Sequence, residues 1–397
     1  MPIFAPLFTN NGFTMIFHSG VPEYPYLLRY LSFGAITRGK QSAFDHKYFS
    51  KKHFPAAANH NLPEQKEPSI GEIHIQHAAI NSSLDELLAA SDTLTFLVIK
   101  NGKIAYERNF GNATTTTPLL NFSVTKTVVS SLVAIAIQEG LIKSANDPIG
   151  TYLHDVPAFV KQRTIQSLMD METGIRYTSH RKPSSDMIRM WFHRDIRSLL
   201  KQLKPAEQSN MFLYNDLHLH LLMYMLEQLV GDVPDYFYKK LWKPLSPEAE
   251  AFWGIDSTSS GFLKADGGFV ASARDLARFG LLYLNNGMTE GKQILPFEWC
   301  NHMGKQGNSR MDKEYFDLYR QRGHRWYSQC FQHERTWYRN FWWHIDQGKE
   351  RNDFFAMGIL GQFVYVSPST NTVIVRQGNS WGIEGWWPAI FEQIVKG

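Results

Sequence analysis

The sequence predicts an α+β fold: an antiparallel sheet built from strands near the two ends of the chain, flanked by helices and interrupted by a mainly helical insertion. Three features lead to it. β-rich runs lie at residues 94–107 and again at 362–376. Residues from about 165 to 260 read as helices and loops. A long apolar helix follows the first β-rich pair, so the chain turns inward early and returns to the sheet at its end.

Residues 1–70 are rich in Pro, Gly, His and Phe and show no sustained period. They read as an irregular N-terminal extension wrapped on the main domain, residues 71–397, whose helical insertion spans about 165–260. Order begins with a helix at Ser82–Leu88. Leu94–Ile99 and Ile104–Glu107 are joined by Lys100-Asn101-Gly102-Lys103, and an Asn-Gly pair between two such runs predicts a hairpin. The apolar helix from about Val124 to Glu139 closes on Gly140, a residue suited to a left-handed C-cap. Leu217–Leu229, with Gly231 just beyond, forms another helix, and Ala273–Phe279 opens one that ends near Asn285-Asn286-Gly287. Gln362–Val366 and Thr372–Arg376 are strands joined by Pro368–Asn371, and a helix covers about 384–395.

Composition narrows the function classes. With 397 residues, 43% hydrophobic and 20% charged, the chain is a soluble globular protein rather than a disordered or collagen-like one. A net charge of +4 argues against a nucleic-acid binder. Cys300 and Cys330 cannot make a disulfide-rich scaffold or a four-cysteine zinc site, and read as two buried thiols. The longest near-apolar stretch, Val128–Ile142, is interrupted by polar residues and falls short of a membrane span. The N-terminal segment lacks the basic, apolar and small-residue parts of a signal peptide, so the expected location is cytoplasmic.

Ser-x-x-Lys occurs at Ser123–Lys126, Ser179–Lys182 and Ser198–Lys201, so the bare spacing carries no weight. Ser179 sits in a polar loop beside Pro183, and Ser198 lies on a helix whose Lys201 faces water. Ser123 alone opens the long apolar helix. There positions i and i+3 share a face. Burial disfavours the ammonium, and a neutral lysine is a general base. The helix start offers N–H groups to a developing oxyanion. The plainer alternative is Ser123 as an N-cap with Lys126 exposed.

Gly378-Asn379-Ser380-Trp381-Gly382 matches Gly-x-Ser-x-Gly between a strand and a helix. No histidine follows it, so it reads as a turn. His218, His220, His333 and His344 lack metal-ligand spacing, and no metal or organic cofactor is implied.

Phe122-Ser123-Val124-Thr125-Lys126-Thr127, Ala136–Ile142, Asn146–Ile149, Thr164–Met169, Thr173–Ile175, Asp266–Phe269 and Ala273–Gly280 together resemble the serine β-lactamase-like family. That family includes class C β-lactamases, penicillin-binding peptidases, related esterases and the nylon-oligomer (6-aminohexanoate-dimer) hydrolases. The similarity covers about residues 70–397 and implies the β-lactamase/transpeptidase-like fold, with Ser123 as nucleophile and Lys126 and Tyr214 as general base and acid, either of them able to be the base. Phe212-Leu213-Tyr214-Asn215-Asp216 occupies the place of the family's Tyr-x-Asn, which implies Tyr214 as proton shuttle. Asp216 replaces the family asparagine, and a carboxylate there favours a charged Lys126. Ala356–Gln362 occupies the place of Lys-Thr-Gly and resembles the nylon-oligomer hydrolase branch. The resemblance implies that the Ile359 N–H completes an oxyanion hole with that of Ser123, and that Asn215, Asp216, Gly358 and Gln362 contact substrate. Ala356 removes the family's cation, which points away from β-lactams and peptidoglycan stems.

Eleven aromatics between Tyr315 and His344 interleave with five arginines and read as a wall of the substrate cleft or as a structural segment. The expected function is hydrolysis of a small-molecule linear amide or ester through an acyl-enzyme on Ser123, with no nucleic acid or membrane partner and with a homodimer allowed. The alternative is a non-catalytic binding or assembly protein of the same fold, motivated by Asp216 and Ala356.

Overall fold

The computed structural model describes residues 25–57, 61–180, 182–206, 212–301, 336–348 and 352–397. The Asn101-Gly102 pair adopts φ of 50° and 75°, the left-handed geometry that a two-residue hairpin turn requires. It joins strands Thr93–Lys100 and Lys103–Asn109. The first of these is buried along most of its length, because it lies inside a seven-stranded antiparallel sheet. From one edge the sheet runs Thr336–Arg339, Trp342–Ile345, Asp353–Gly358, Gln362–Ser367, Thr372–Gly378, Thr93–Lys100 and Lys103–Asn109. Val98 pairs with Ile374 and Ile99 with Val373, so the two ends of the chain meet in mid-sheet.

Helices cover both faces. Phe363 and Tyr365 turn to the terminal helix Trp387–Lys396, where Phe391 lies 5.3 and 5.4 Å from their rings. Val364 and Val373 point to the other side, onto helix Ala273–Leu284. Gly280 of that helix makes the contact: a Cβ there would stand 2.6 Å from Val373 Cγ1 and 3.1 Å from Val364 Cγ1. Gly280→Ala should therefore overpack the layer and cost about 1–3 kcal/mol, read as a lower denaturant midpoint at unchanged m-value.

The apolar helix spans Thr125–Gln138, and Thr125 through Ala136 are all buried, as expected of a helix without a polar face. Helix Leu217–Val230 packs beside it. Gly140 has φ of 73° and ends the helix as expected. Ser123 is not inside it, but in the 3-10 turn Phe122–Val124 that leads in.

Within residues 25–57, the expectation of an irregular extension is corrected. Tyr26–Thr37 is a helix, and Lys51–Phe54 pairs antiparallel with Ala251–Gly254. That helix escapes a periodicity reading because Leu27, Leu28 and Leu31 are exposed while Arg29 is buried, donating to Asp256 O at 2.7 Å. The strand, Lys-Lys-His-Phe, has no apolar alternation. Phe33 and Phe49 pack on Ile188 and Phe192, which ties this segment to the helical region.

Lys51–Phe54 begins a small sheet that continues through Ala251–Gly254 and Phe269–Ala271 to Leu119–Leu120. Its last strand delivers the chain directly to Ser123. Gly378–Gly382 follows the end of a strand and precedes the terminal helix, with Ser380 Oγ donating to Asp92. Cys300 is buried, and Cys330 lies outside the described residues. So do residues 315–335 of the aromatic segment, whose described remainder forms the first two strands at one edge of the large sheet. Among the described residues, no helix is long and apolar enough to cross a membrane.

Candidate active site

The turn bearing Ser123 is held from several directions. The Asn121 side-chain oxygen accepts from Gln377 Nε2 at 2.8 Å, and the Asn121 backbone N–H donates to Phe269 O at 3.0 Å. Phe122 has φ of 46°, which is costly for a bulky residue and persists only where packing fixes it. Its ring lies against Trp191, and its backbone against Gly267. Ser123 itself is partly exposed between buried neighbours.

Lys126, three residues on, is 1% exposed. Its Nζ donates to Ser123 Oγ and to the Asp266 carbonyl, each at 3.0 Å, and pairs with Asp216 Oδ1 at 2.7 Å. Three partners match the three protons of an ammonium. Burial pulls the Lys126 pKa down, but Asp216, Tyr214 and Asp266 outweigh it and the net shift is upward. Tyr177 donates its hydroxyl to the other Asp216 oxygen. Burial first, then Asp216, pushes the Tyr177 phenol well above its ordinary range, so it remains a donor. The plain N-cap alternative for Ser123, with an exposed lysine, does not hold.

Tyr214 closes the group from the side, its ring centroid 5.0 Å from Lys126 Nζ. Burial raises its phenol, while the Lys126 charge and hydrogen bonding to Ser123 and Lys126 pull the other way. Trp343 stacks on Tyr214 at 6.1 Å and Tyr338 meets it edge-on at 6.0 Å. The described end of the aromatic segment thus braces the tyrosine.

Opposite stands the end of strand Asp353–Gly358. A Cβ on Gly358 would lie 2.5 Å from Asn121 O and 3.1 Å from Ser123 N, so only glycine keeps the space before that amide open. Ile359 follows in the hairpin turn and is 44% exposed. Arg376, fully buried, anchors the turn by donating to Gly361 O at 2.7 Å, Ser91 O at 2.8 Å and Thr93 Oγ1 at 3.0 Å.

Ser123, Lys126, Tyr214, Asp216 and Gly358 therefore converge, with Ile359 in the adjoining turn. Two expected contact residues point elsewhere. Asn215 is fully buried, its amide donating to Ile175 O at 3.0 Å and its oxygen accepting from Leu217 N at 2.9 Å, so it braces a helix start rather than lining a cleft. Gln362 is also buried and donates to Gly378 O at 2.6 Å, tying neighbouring strands. Sequence reasoning missed Tyr177 and the roles of the Asp266 carbonyl and Arg376. His220 lies 3.5 Å from Asp266 Oδ1, and His218 pairs with Thr173 Oγ1 at 2.6 Å. Burial drives His218 and His344 each down to about 3, so both stay neutral. Among the described residues, no cluster of three His, Cys, Asp or Glu could hold a metal ion.

The family model described as Beta-lactamase matches residues 81–385. The chain is 26% identical over 313 residues to the 6-aminohexanoate-dimer hydrolase of Paenarthrobacter ureafaciens, covering 75% of each sequence. A Bacillus anthracis protein provisionally named as a 6-aminohexanoate-dimer hydrolase has a similar structure, with TM-score 0.71, 20% identity and 95% of each chain covered. A class C beta lactamase from Rhodobacter sphaeroides gives TM-score 0.56 at 12% identity, covering 79% of this chain and 97% of that one.

Proposed function

The chain belongs to the beta-lactamase family, and from that premise we propose that it is a serine hydrolase cleaving a linear amide or ester through an acyl-enzyme on Ser123. The observation that carries this reading is the buried Lys126 ammonium 3.0 Å from Ser123 Oγ, with Tyr214 and Asp216 around it. Ser123 Oγ attacks the substrate carbonyl and gives up its proton to Tyr214 or Lys126, whichever of the two has first released its own proton to solvent, so that the reactive form is the one deprotonated at that group. The oxyanion rests on the Ser123 and Ile359 N–H groups. As the C–N or C–O bond breaks, the same proton passes to the leaving amine or alcohol. Water then adds to the acyl-enzyme, giving the acid and freeing Ser123. Relatives named as 6-aminohexanoate-dimer hydrolases, and Ala356 in place of a cation before Gly358, favour a linear substrate over a β-lactam.

Treatment with a fluorophosphonate, read by intact mass and peptide mapping, tests the proposal. One adduct on the Ser123 peptide is the expected result. The second reading, a non-catalytic binding protein, rests on Asp216, which holds Lys126 in the form that cannot accept a proton. An unmodified Ser123 would favour it.

Asp216 also sets a pH signature. Its carboxylate stabilises the Lys126 ammonium and raises the Tyr214 phenol, so removing it lowers both groups. Asp216→Asn should therefore move the rising limb of kcat/KM to lower pH by about one unit or more, whichever group is the base. A limb that stays in place would exclude Asp216 from setting the ionisation.

A further inference from the structure

Helix Tyr26–Thr37 is set into the molecule with its charge inward and its leucines outward. The inward face is Tyr26, Arg29, Tyr30 and Phe33. Arg29 is 2% exposed and donates to the Asp256 and His193 carbonyls, while Tyr30 and Phe33 pack on Phe192. Arg29 is also the only charged residue of the helix. The outward face is Leu27, Leu28, Leu31 and Ala35, at i, i+1, i+4 and i+8, a spacing that gathers side chains on one side. Leu27, Leu28 and Leu31 are 43%, 49% and 55% exposed, three of the seven large hydrophobic side chains left in the open among the described residues. A single exposed leucine is ordinary, but three on one helix face with no charge among them mark a surface that something covers.

The charge around this helix narrows what that is. Residues 25–57 hold six basic residues, Arg29, Arg38, Lys40, Lys47, Lys51 and Lys52, and one carboxylate, Asp45, so 6 − 1 leaves +5. The whole chain carries +4, so all remaining residues together sum to −1. Asp45 is 5% exposed and accepts from Ser42 N at 2.8 Å, so its charge is turned inward. Arg38, Lys40, Lys47 and Lys52 are exposed, and among the described residues none of them is in an ion pair. Arg38 is the C-cap of the helix and Lys40 follows shortly after, which puts two of these charges at the end of the leucine-bearing helix.

A second copy of the chain meeting this face would bring two such basic segments together, and like charge opposes that pairing. Residues 1–24 carry one charged side chain, Glu23, and do not neutralise the segment. A bilayer surface containing anionic lipid meets both requirements at once, with negative headgroups for the basic side chains and acyl chains just beneath for the leucines. A helix held to the protein by one face and immersed by the other needs no span, so the lack of a membrane-crossing helix among the described residues has no bearing on it.

We propose that helix Tyr26–Thr37 seats the protein on an anionic phospholipid surface, with Leu27, Leu28 and Leu31 entering the interface and Arg38, Lys40 and the neighbouring lysines meeting headgroups. The proposal revises the expectation of no membrane partner and does not depend on the hydrolase reading. It is tested by flotation of the full chain with vesicles of mixed phosphatidylglycerol and phosphatidylcholine, and with vesicles of phosphatidylcholine alone. The wild type is compared with a combined Leu27→Gln, Leu28→Gln, Leu31→Gln variant and a combined Arg38→Gln, Lys40→Gln variant. Size-exclusion chromatography gives the oligomeric state of each protein. All five positions are exposed, so both variants should fold and melt within about 5 °C of the wild type.

We expect the wild type to partition at least about tenfold more onto the anionic vesicles than onto the neutral ones, a preference that added salt weakens. The leucine variant should lose about tenfold or more of that partition, and the basic variant about fivefold or more. Equal flotation on both lipids would overturn the anionic requirement, and undiminished flotation of the leucine variant would overturn the role of the helix. Absence of flotation with either lipid would overturn the proposal as a whole. In that event a dimer that dissociates in the leucine variant would assign the face to a second copy, and a monomer throughout would leave it without a partner of either kind.

Discussion

Ser123→Ala should lower kcat by about 10⁴-fold or more on any substrate the protein cleaves, the size of loss seen when a nucleophile is removed and the oxyanion hole remains. The fold should survive. Lys126 loses one of its three partners but keeps Asp216 at 2.7 Å and the Asp266 carbonyl at 3.0 Å, so no buried charge is orphaned. The turn itself is held by Asn121 and Phe122, not by the hydroxyl. A melting temperature within about 5 °C of the wild type is therefore expected. Single-turnover product release and intact mass after fluorophosphonate treatment check both halves. Equal rates in the two proteins would mean that another serine acts, and Ser380, partly exposed beside Asp92, would be examined next.

On the proposed mechanism, Gly358→Ala should cost about 10²–10³ in kcat with a smaller change in KM, because it would disturb a donor used in the transition state rather than substrate binding. The added Cβ would stand 2.5 Å from Asn121 O. That carbonyl accepts from Val124 N at 3.1 Å, and the Asn121 side chain is fixed by Gln377, so it has little freedom to retreat. Either the strand end or the nucleophile turn must move, which on the proposed mechanism takes the Ser123 and Ile359 amides away from a shared oxygen. Stability should also fall by about 1–3 kcal/mol. Gly280→Ala, with a similar stability loss in the layer between helix Ala273–Leu284 and the sheet, provides the control. Its kcat should stay within about twofold of the wild type, and a comparable loss there would assign the Gly358 effect to general destabilisation.

What could be read from the sequence was local. Asn101-Gly102 and Gly140 stand where their backbone freedom is used, and Ser123 and Lys126 sit three residues apart at a helix entrance. Contacts between distant segments left no such mark. Tyr177 meets Asp216 across 39 positions, and Lys126 meets the Asp266 carbonyl across 140. Arg376 reads as an ordinary strand residue until its carbonyl partners are seen. The misplacement of Asn215 has a simpler cause. Residues 212–215 form no regular element, and successive side chains alternate there: Phe212 and Tyr214 face Tyr338 and Trp343, while Asn215 turns back toward Ile175. Adjacency to Tyr214 in sequence therefore put Asn215 on the opposite side from Lys126.

The pairing of Val98 with Ile374 joins positions 374 − 98 = 276 residues apart, and it bears on how a ribosome must deliver this chain. At translation rates of about 5–20 residues per second, the first hairpin waits on the order of tens of seconds for its neighbour. A lone two-stranded hairpin is marginal in water, and the waiting edge of Thr93–Lys100 is a run of aliphatic and aromatic residues open to pairing with other nascent chains. Synthesis thus leaves a long window in which a holdase chaperone would matter more than it does for the finished protein.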